Sequence, residues 1–474
     1  MADLIIKDGR MLTMNGVIID GGVVVVDDGL ITFVGKDTNE KADKVIDAKG
    51  CAVMPGLINA HTHLSMTLFR GFADDLAYKE WTKKIQGAEM KLKPADVRAG
   101  AYLGVLEMIK TGTTAFADMY IHMDEVAKAV EETGMRAALG YGMIESRNFG
   151  LRSAGVCEAY PSRVTPREGV FGYGAPYPSF YKPFSKVFDK TFIKFFEGLN
   201  SDSDTKLKIR ANFVRKWNGA SDGRITTMYA PHSAASCSKE FLIKVKAMAL
   251  RDKSSIHIHV LETEYELDLM KKRYGMCSIN FLNSIDFLSP GVLAAHCVWL
   301  SDDDIAMLKN KQVNVVHCPS SNIALGAGIA PVPKMLERGI NVALGTDGAA
   351  SGGSLDMWKE MRCASLLHKL KDPMSMPAPK VLEMATVNGA RALGINAGVL
   401  KSGYLADIIL VDLKKPHFAS SNLISSLVRG ASGCDVKTTI VDGEILMENY
   451  RVKLDEEKII EDARNAILNI TGNN

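Results

Sequence analysis

The chain has 474 residues, 47% apolar and 24% charged, with a formal net charge of +2. That balance is ordinary for a globular protein and gives no basic stripe or polycationic run for nucleic acid or an anionic membrane. No apolar stretch reaches the roughly 18–20 residues that cross a bilayer, and "MADLIIKDGR" lacks the basic and apolar parts of a signal peptide.

Eight cysteines are scattered without a CxxC pair, which points to reduced thiols rather than a disulfide framework or a Cys₄ zinc site. The expectation is a cytoplasmic protein with no nucleic-acid or membrane partner.

Residues 1–55 read as short strands broken by Gly and Asp, in "DLIIKDGRML", "GVVVVDDGLITFVG" and "KVIDAKGCAVM". The same texture returns in "ADIILVDL" and "KTTIVDGEILMENYRV", so both termini are expected to build one small β domain, 1–55 plus 395–474. Between them, helical patterns lead repeatedly into buried runs: "VRAGAYLGVLEMIKTG" into "TTAFADMY", "EFLIKVKAMALRDKS" into "IHIHVLE", "DIAMLKNKQ" into "VNVVHCP". Such repeats predict a parallel sheet with crossover helices, and their number between residues 56 and 394 favours a closed (β/α)8 barrel. An insertion at about 150–224, rich in Pro, Gly, Tyr and Phe, departs from this rhythm and reads as a lid, interface or packed excursion.

Polar residues follow the apolar runs with regularity. His61 and His63 end "PGLINAHTH", and Asp118 follows "TTAFA"; His232 follows "ITTMYAP", and His259 and Glu262 sit in "IHIHVLE". His296 closes "GVLAAH", His317 closes "VNVVH" and Asp347 closes "NVALGTD". On a barrel, the C-terminal strand ends form one face where catalytic groups converge. Residues i and i+2 of a strand share a face, so His61 and His63 suit one metal ion. A further strand-end histidine and a carboxylate would complete the ligands, and a nearby unligated carboxylate such as Glu262 could move protons. Asp347 is the best remaining carboxylate, because a buried Asp is costly unless paired or metal-bound.

These segments, with "YAPHSAASCS", "AAHCVWL" and "HCPSSNIALGAGIAPVPKMLERGINVALGTDGAASGGSLDMWKEMR", resemble the amidohydrolase superfamily along nearly the whole chain. Within it they resemble the 5'-methylthioadenosine/S-adenosylhomocysteine deaminases. The resemblance implies a (β/α)8 TIM-like barrel with a small β-sandwich domain from both termini. It places zinc ligands on His61, His63, His259 and Asp347, a proton-shuttling glutamate on Glu262 and a catalytic histidine on His296. His232 matches a substrate-contacting histidine. Glu89 in "IQGAEMKL" matches a ribose-binding glutamate, with one residue fewer separating it from Trp81.

The cofactor implied is one Zn²⁺ per subunit, with Fe²⁺ or another divalent metal as the alternative. The implied chemistry is hydrolytic deamination of an adenine nucleoside. Zinc lowers the pKa of a water, His296 and Asp347 orient it toward C6, and Glu262 protonates N1 and assists departure of ammonia. His257 is expected to face away from His259 and to be structural, and His317 matches no ligand of the family.

Relatives that take S-adenosylhomocysteine hold its carboxylate with two arginines. Here "LGYGMIESRNFGLRS" puts Tyr141 where the first would stand, with Arg152 or Arg147 as the second. Tyr cannot make the bidentate pair that Arg makes with a carboxylate, so a substrate without the homocysteine tail is expected. Adenosine, 5'-deoxyadenosine and 5'-methylthioadenosine are the candidates. A guanine- or triazine-type hydrolase is the alternative on the same scaffold, and a non-catalytic barrel the alternative from another class. The small-zinc nucleic-acid deaminase signature, a P-loop and a dinucleotide-binding glycine motif are all missing from the sequence. A homo-oligomer is compatible with this reading and is marked by no sequence feature.

Overall fold

The computed structural model describes residues 1–144 and 203–472. Arg147, Arg152 and most of the 150–224 insertion therefore lie outside the described residues.

Five strands open the chain: β1 (Ala2–Leu12), β2 (Ile18–Asp27), β3 (Leu30–Gly35), β4 (Ala42–Asp47) and β5 (Cys51–Pro55). Four more come from the C-terminal part and join them in one nine-stranded sheet: β14 (Ile408–Asp412), β15 (Val436–Val441), β16 (Glu444–Glu448) and β17 (Arg451–Val452). The junction is the antiparallel pair of β5 and β14. The sheet divides at β1, which pairs with β4 along its first half and with β5 near its end. The two parts close over one apolar cluster that includes Leu4, Ile6, Val24, Val53, Ile408 and Ile440.

The remaining strands are β6 (Leu57–Thr62), β7 (Thr113–Tyr120), β8 (Arg136–Met143), β9 (Ile225–Pro231), β10 (Ser255–Val260), β11 (Val292–His296), β12 (Asn314–His317) and β13 (Val342–Leu344). Each runs parallel to the next, in chain order from β6 to β13. They are buried almost throughout, as expected of parallel strands covered by helices. Their crossover helices carry one apolar stripe; Met123–Thr133 buries Met123, Val126, Ala127 and Val130, a helical spacing. Small and branched side chains fill the interior, among them Ala60, Ala117, Ala138, Val316 and Ala343.

The seam between β13 and β6 is closed at the C-terminal ends of the strands. The Asp347 amide donates to the His61 carbonyl at 3.0 Å, and the Thr346 amide donates to Asn59 Oδ1 at 3.0 Å. Gly345 is required there, since a Cβ would lie 2.8 Å from the His61 backbone. The result is a nearly closed (β/α)8 barrel with an added sheet.

Arg136 at the start of β8 ties the two parts together. It pairs with Asp407 at 2.8 Å and Asp442 at 2.7 Å, and the Asp407 carboxylate also accepts from the Asp442 amide. Part of the 395–474 stretch leaves the sheet. Helix Glu456–Thr471 packs on helix Pro94–Lys110, with Lys110 against Glu456 at 2.6 Å, and helix Leu423–Gly430 reaches Met357–Leu367 through Arg429 and Ser365 at 3.1 Å. Among the described residues, no helix is long and apolar enough to cross a membrane.

Candidate active site

Three imidazoles converge where β6 and β10 end. His63 Nδ1 donates to the Met119 carbonyl at 2.6 Å, and His259 Nδ1 donates to the His232 carbonyl at 2.8 Å. Carbonyls only accept, so both rings carry their proton on Nδ1 and turn a lone pair outward at Nε2. Yet these two Nε2 atoms lie 3.3 Å apart. His61 Nε2 is buried beside them with no hydrogen-bond partner among the described residues, and Asp347 Oδ1 is 3.4 Å from it and 3.2 Å from His63 Nε2. Lone pairs gathered around a carboxylate repel unless a cation sits among them. The ligand atoms of His61, His63 and His259 lie within 4.8 Å of one another, as do those of His61, His296 and Asp347. Nitrogen and oxygen donors in this number suit Zn²⁺ or a similar divalent ion.

The electrostatics agree. Burial alone would raise the Asp347 carboxyl, but the adjacent His61 and His63 rings outweigh it and hold the carboxyl well below the ordinary range. Burial lowers His61 to about 4, while the same carboxylate outweighs burial at His63 and lifts it to about 9. Two rings on one carboxylate thus move in opposite directions.

The strand-end turns are strained in a consistent way. Leu261, His296, Cys297 and Asp347 all have positive φ, between 47° and 71°, a region that non-glycine residues seldom adopt. Each is braced. Asp347 Oδ2 accepts from Ser321 at 2.5 Å and Ser351 at 3.3 Å, and Oδ1 accepts from the Gly348 amide at 2.8 Å. His296 Nδ1 meets Asn322 Oδ1 at 2.9 Å; with that oxygen as acceptor, His296 Nε2 is left as a base.

A cavity of about 230 Å³ opens beside the cluster, lined by His63, His232, His259, Glu262, His296 and Asp347. Helix α1 (Tyr78–Glu89) covers it, presenting Tyr78, Trp81, Ile85 and Glu89. Trp81 Nε1 pins α1 to the Ala350 carbonyl at 3.1 Å. Burial raises the carboxyls of both Glu262 and Glu89; Tyr78 donates to Glu262 at 3.3 Å and Tyr120 to Glu89 at 2.7 Å, each opposing that rise. Burial also lowers His232 to about 4, so its ring enters the cavity neutral, with Nδ1 3.1 Å from the Ser236 hydroxyl.

The structure therefore brings His61, His63, His259, Asp347, His296, Glu262, His232 and Glu89 to one place. Two expectations are corrected. His257 does not face away: i and i+2 share a strand face, and its Nε2 lies 2.8 Å from His61 Nδ1, behind the metal ligand. Tyr141 is not among the residues lining the cavity. It packs edge-on against Phe213 at 5.8 Å with the Arg210 guanidinium 4.4 Å from its ring, while Gly142 faces the cavity. Arg152 falls outside the described residues. His317 is buried with neither ring nitrogen partnered among them. Tyr78, Ser321, Ser351, Asn322 and Glu266 were not singled out by sequence; only "ETEYE", a helix-start pattern, carried a signal for one of them.

A barrel with this histidine–aspartate face defines a metal-dependent hydrolase scaffold, and residues 52–446 match the amidohydrolase family. The chain belongs to that family. It is 52% identical over 473 residues, 98% of each chain, to a 5'-deoxyadenosine deaminase of Methanosarcina acetivorans. It is 42% identical over 455 residues, 94% of each chain, to a 5-methylthioadenosine/S-adenosylhomocysteine deaminase of Dictyoglomus turgidum. The crystal structure of a Xanthomonas campestris adenosine deaminase with bound zinc superposes with a TM-score of 0.85 at 26% identity, covering 99% of each chain.

Proposed function

We propose that this chain is a hydrolytic deaminase of adenine nucleosides that lack a charged 5' tail, 5'-deoxyadenosine foremost. The observation that carries the reading is a single cavity lined by the histidine–aspartate cluster, by Glu262 and by the second carboxylate, Glu89. The full-length similarity to a 5'-deoxyadenosine deaminase supports the substrate. So does the apolar part of the lining, to which Met66, Ile85, Met119, Met143 and Leu325 contribute.

His61, His63, His259 and Asp347 are the residues to hold a divalent ion. When bound, that ion supplies Lewis acidity, bringing a water's pKa toward neutrality. His296 Nε2 accepts a proton from the attacking water, held as a base by Asn322 at its other nitrogen. Asp347, steadied by Ser321 and Ser351, orients the same water. Glu262, whose carboxyl burial raises, donates its proton to N1 of the purine as oxygen bonds to C6. It then takes the proton remaining on that oxygen and passes it to the departing amine, and His296 returns its proton to Glu262 to reset both groups. The C6–N bond breaks, and an inosine analogue and ammonia are released. Glu89 accepts from the ribose hydroxyls, and neutral His232 contacts the nucleoside.

The test is ammonia release by the zinc-loaded protein from 5'-deoxyadenosine, 5'-methylthioadenosine, adenosine, S-adenosylhomocysteine, guanine and an aminotriazine. Turnover of the first two is expected, with Glu262→Gln lowering kcat by about 10²–10⁴-fold. Preference for S-adenosylhomocysteine would remove the uncharged-tail argument. Activity confined to guanine or the triazine would remove the nucleoside reading altogether.

A further inference from the structure

Glu266 is a buried carboxylate one helical turn beyond Glu262, and the mechanism above does not use it. It occupies the third position of helix Glu264–Tyr274, whose N-cap is Thr263. Thr263 Oγ1 accepts from the Glu266 amide at 3.3 Å, as a capping threonine should. In an ordinary capping box, the third-position Glu returns its side chain to the N-cap amide. Here the carboxylate reaches further back. Oε2 accepts from the Glu262 amide at 3.3 Å, the group also bonds the Leu261 amide, and Oε1 accepts from Ser278 at 2.6 Å.

Its targets thus precede the helix. They are the two amides of the turn on which Glu262 sits, and Leu261 in that turn has φ 47°, a conformation leucine does not choose unaided. The Leu261 carbonyl is engaged from the other side by the amides of Val298 and Trp299. Ser278, buried in helix Ser278–Ser284, fixes the carboxylate from below. Burial pushes the Glu266 carboxyl up to about 7 against these three donors, so the acid is held in place by hydrogen bonds rather than by solvent.

We infer that Glu266 is a positioning residue for the proton donor, its side chain clamping the Leu261–Glu262 turn so that the Glu262 carboxyl points into the cavity. The inference rests on the deaminase reading for Glu262. A displacement of about 1 Å at a reacting group can cost about 10²-fold in rate. Glu266 borders the cavity at its edge, while Glu89, His232 and the apolar lining keep their places, so the loss falls chiefly on kcat rather than on KM.

The experiment compares Glu266→Ala, Glu266→Gln and Ser278→Ala with the parent in zinc-loaded protein. It reads 5'-deoxyadenosine kinetics and hydrogen exchange of the Leu261 and Glu262 amides. Glu266→Ala is expected to lower kcat by about 10²-fold with KM within about threefold, and to speed exchange at both amides. Glu266→Gln keeps an acceptor for the amides and is expected to recover kcat to within about fivefold, with exchange near the parent's. Should the alanine variant fail to fold, Ser278→Ala is expected to lower kcat by about fivefold at unchanged KM. Parental kcat in Glu266→Ala would overturn the inference, as would equal losses in the Ala and Gln variants without faster exchange. A parent inactive on every nucleoside refutes the functional reading instead, and exchange at the two amides still decides whether the clamp exists.

Discussion

His257 offers a test of how the metal ligands are held. Its Nε2 lies 2.8 Å from His61 Nδ1, both rings are fully buried, and no other partner is available to that nitrogen among the described residues. For His61 to present a lone pair at Nε2, its proton must sit on Nδ1 and be donated to His257. Replacing His257 by Leu leaves a buried N–H without an acceptor whenever His61 adopts the ligating tautomer. Such a group costs about 1–3 kcal/mol. With 1.4 kcal/mol per factor of ten, zinc affinity should fall about 10–100-fold, the range usual for groups that orient a ligand from behind.

Competition with a chromophoric chelator measures this directly. The metal-free protein provides the control: His257 Nδ1 is itself unpartnered among the described residues, so Leu removes one buried polar orphan and should not lower the melting temperature without metal. His257→Gln, whose amide oxygen can accept, should lose less than Leu. A Leu variant that binds zinc as tightly as the parent would refute the tautomer argument.

Two further predictions concern stability. Burial pushes Glu360 up to about 8, against hydrogen bonds from Ser320. The folded state then binds a proton the unfolded state has released between about pH 4.5 and 8, so stability falls as pH rises by about 1.4 kcal/mol per unit. Glu360→Gln removes that slope, and its advantage over the parent should grow by about 2–3 kcal/mol between pH 6 and 8 in urea titrations; parallel profiles would contradict it. Arg136→Ala strands Asp407 and Asp442 at the junction of sheet and barrel and should cost about 3–5 kcal/mol, read as a lower denaturant midpoint. A loss under 1 kcal/mol would mean that the two carboxylates find other partners.

Much of this site was legible because its chemistry sits at strand ends, where sequence marks the place. Apolar runs locate β6, β10, β11 and β13, and polar residues at or just after their ends, His61, His259, His296 and Asp347, are among those that converge. What sequence could not supply was facing and reach. The face of Tyr141 depends on the register of β8, where Gly140 and Gly142 turn inward, and a position matched by spacing alone landed on the outer side. Helix α1 is held over the cavity by hydrogen bonds of Trp81 to Ala350, Tyr78 to Glu262 and Glu89 with Tyr120, all between segments far apart in sequence, so the nearness of Tyr78 to Glu262, 184 residues apart, has no local signature. The same holds for Ser321 on Asp347, which depends on how the short helix Pro319–Ala324 after β12 lies against the loop after β13.

The braces share a pattern. His63 is oriented by a carbonyl from β7, His259 by one that follows β9, His296 by an amide that follows β12, and Asp347 by a serine from that same loop. Each of these four groups is aimed in part from a neighbouring strand or the segment after it, whereas Glu262 is set by Glu266 of its own segment. In a barrel this is geometrically natural, because adjacent strand ends are nearest neighbours around the ring. It also has an electrostatic consequence. Dipoles fixed by the scaffold need not reorient as charge moves between water, purine and Glu262, and preorganisation of that kind lowers a barrier more than flexible contacts of equal strength. Substitutions of the braces, which touch neither metal nor nucleoside, should therefore act chiefly on kcat, and substitutions at Glu89 or Ile85 chiefly on KM. A brace variant whose main effect is on KM would show that orientation in this site comes from the substrate rather than from the fold.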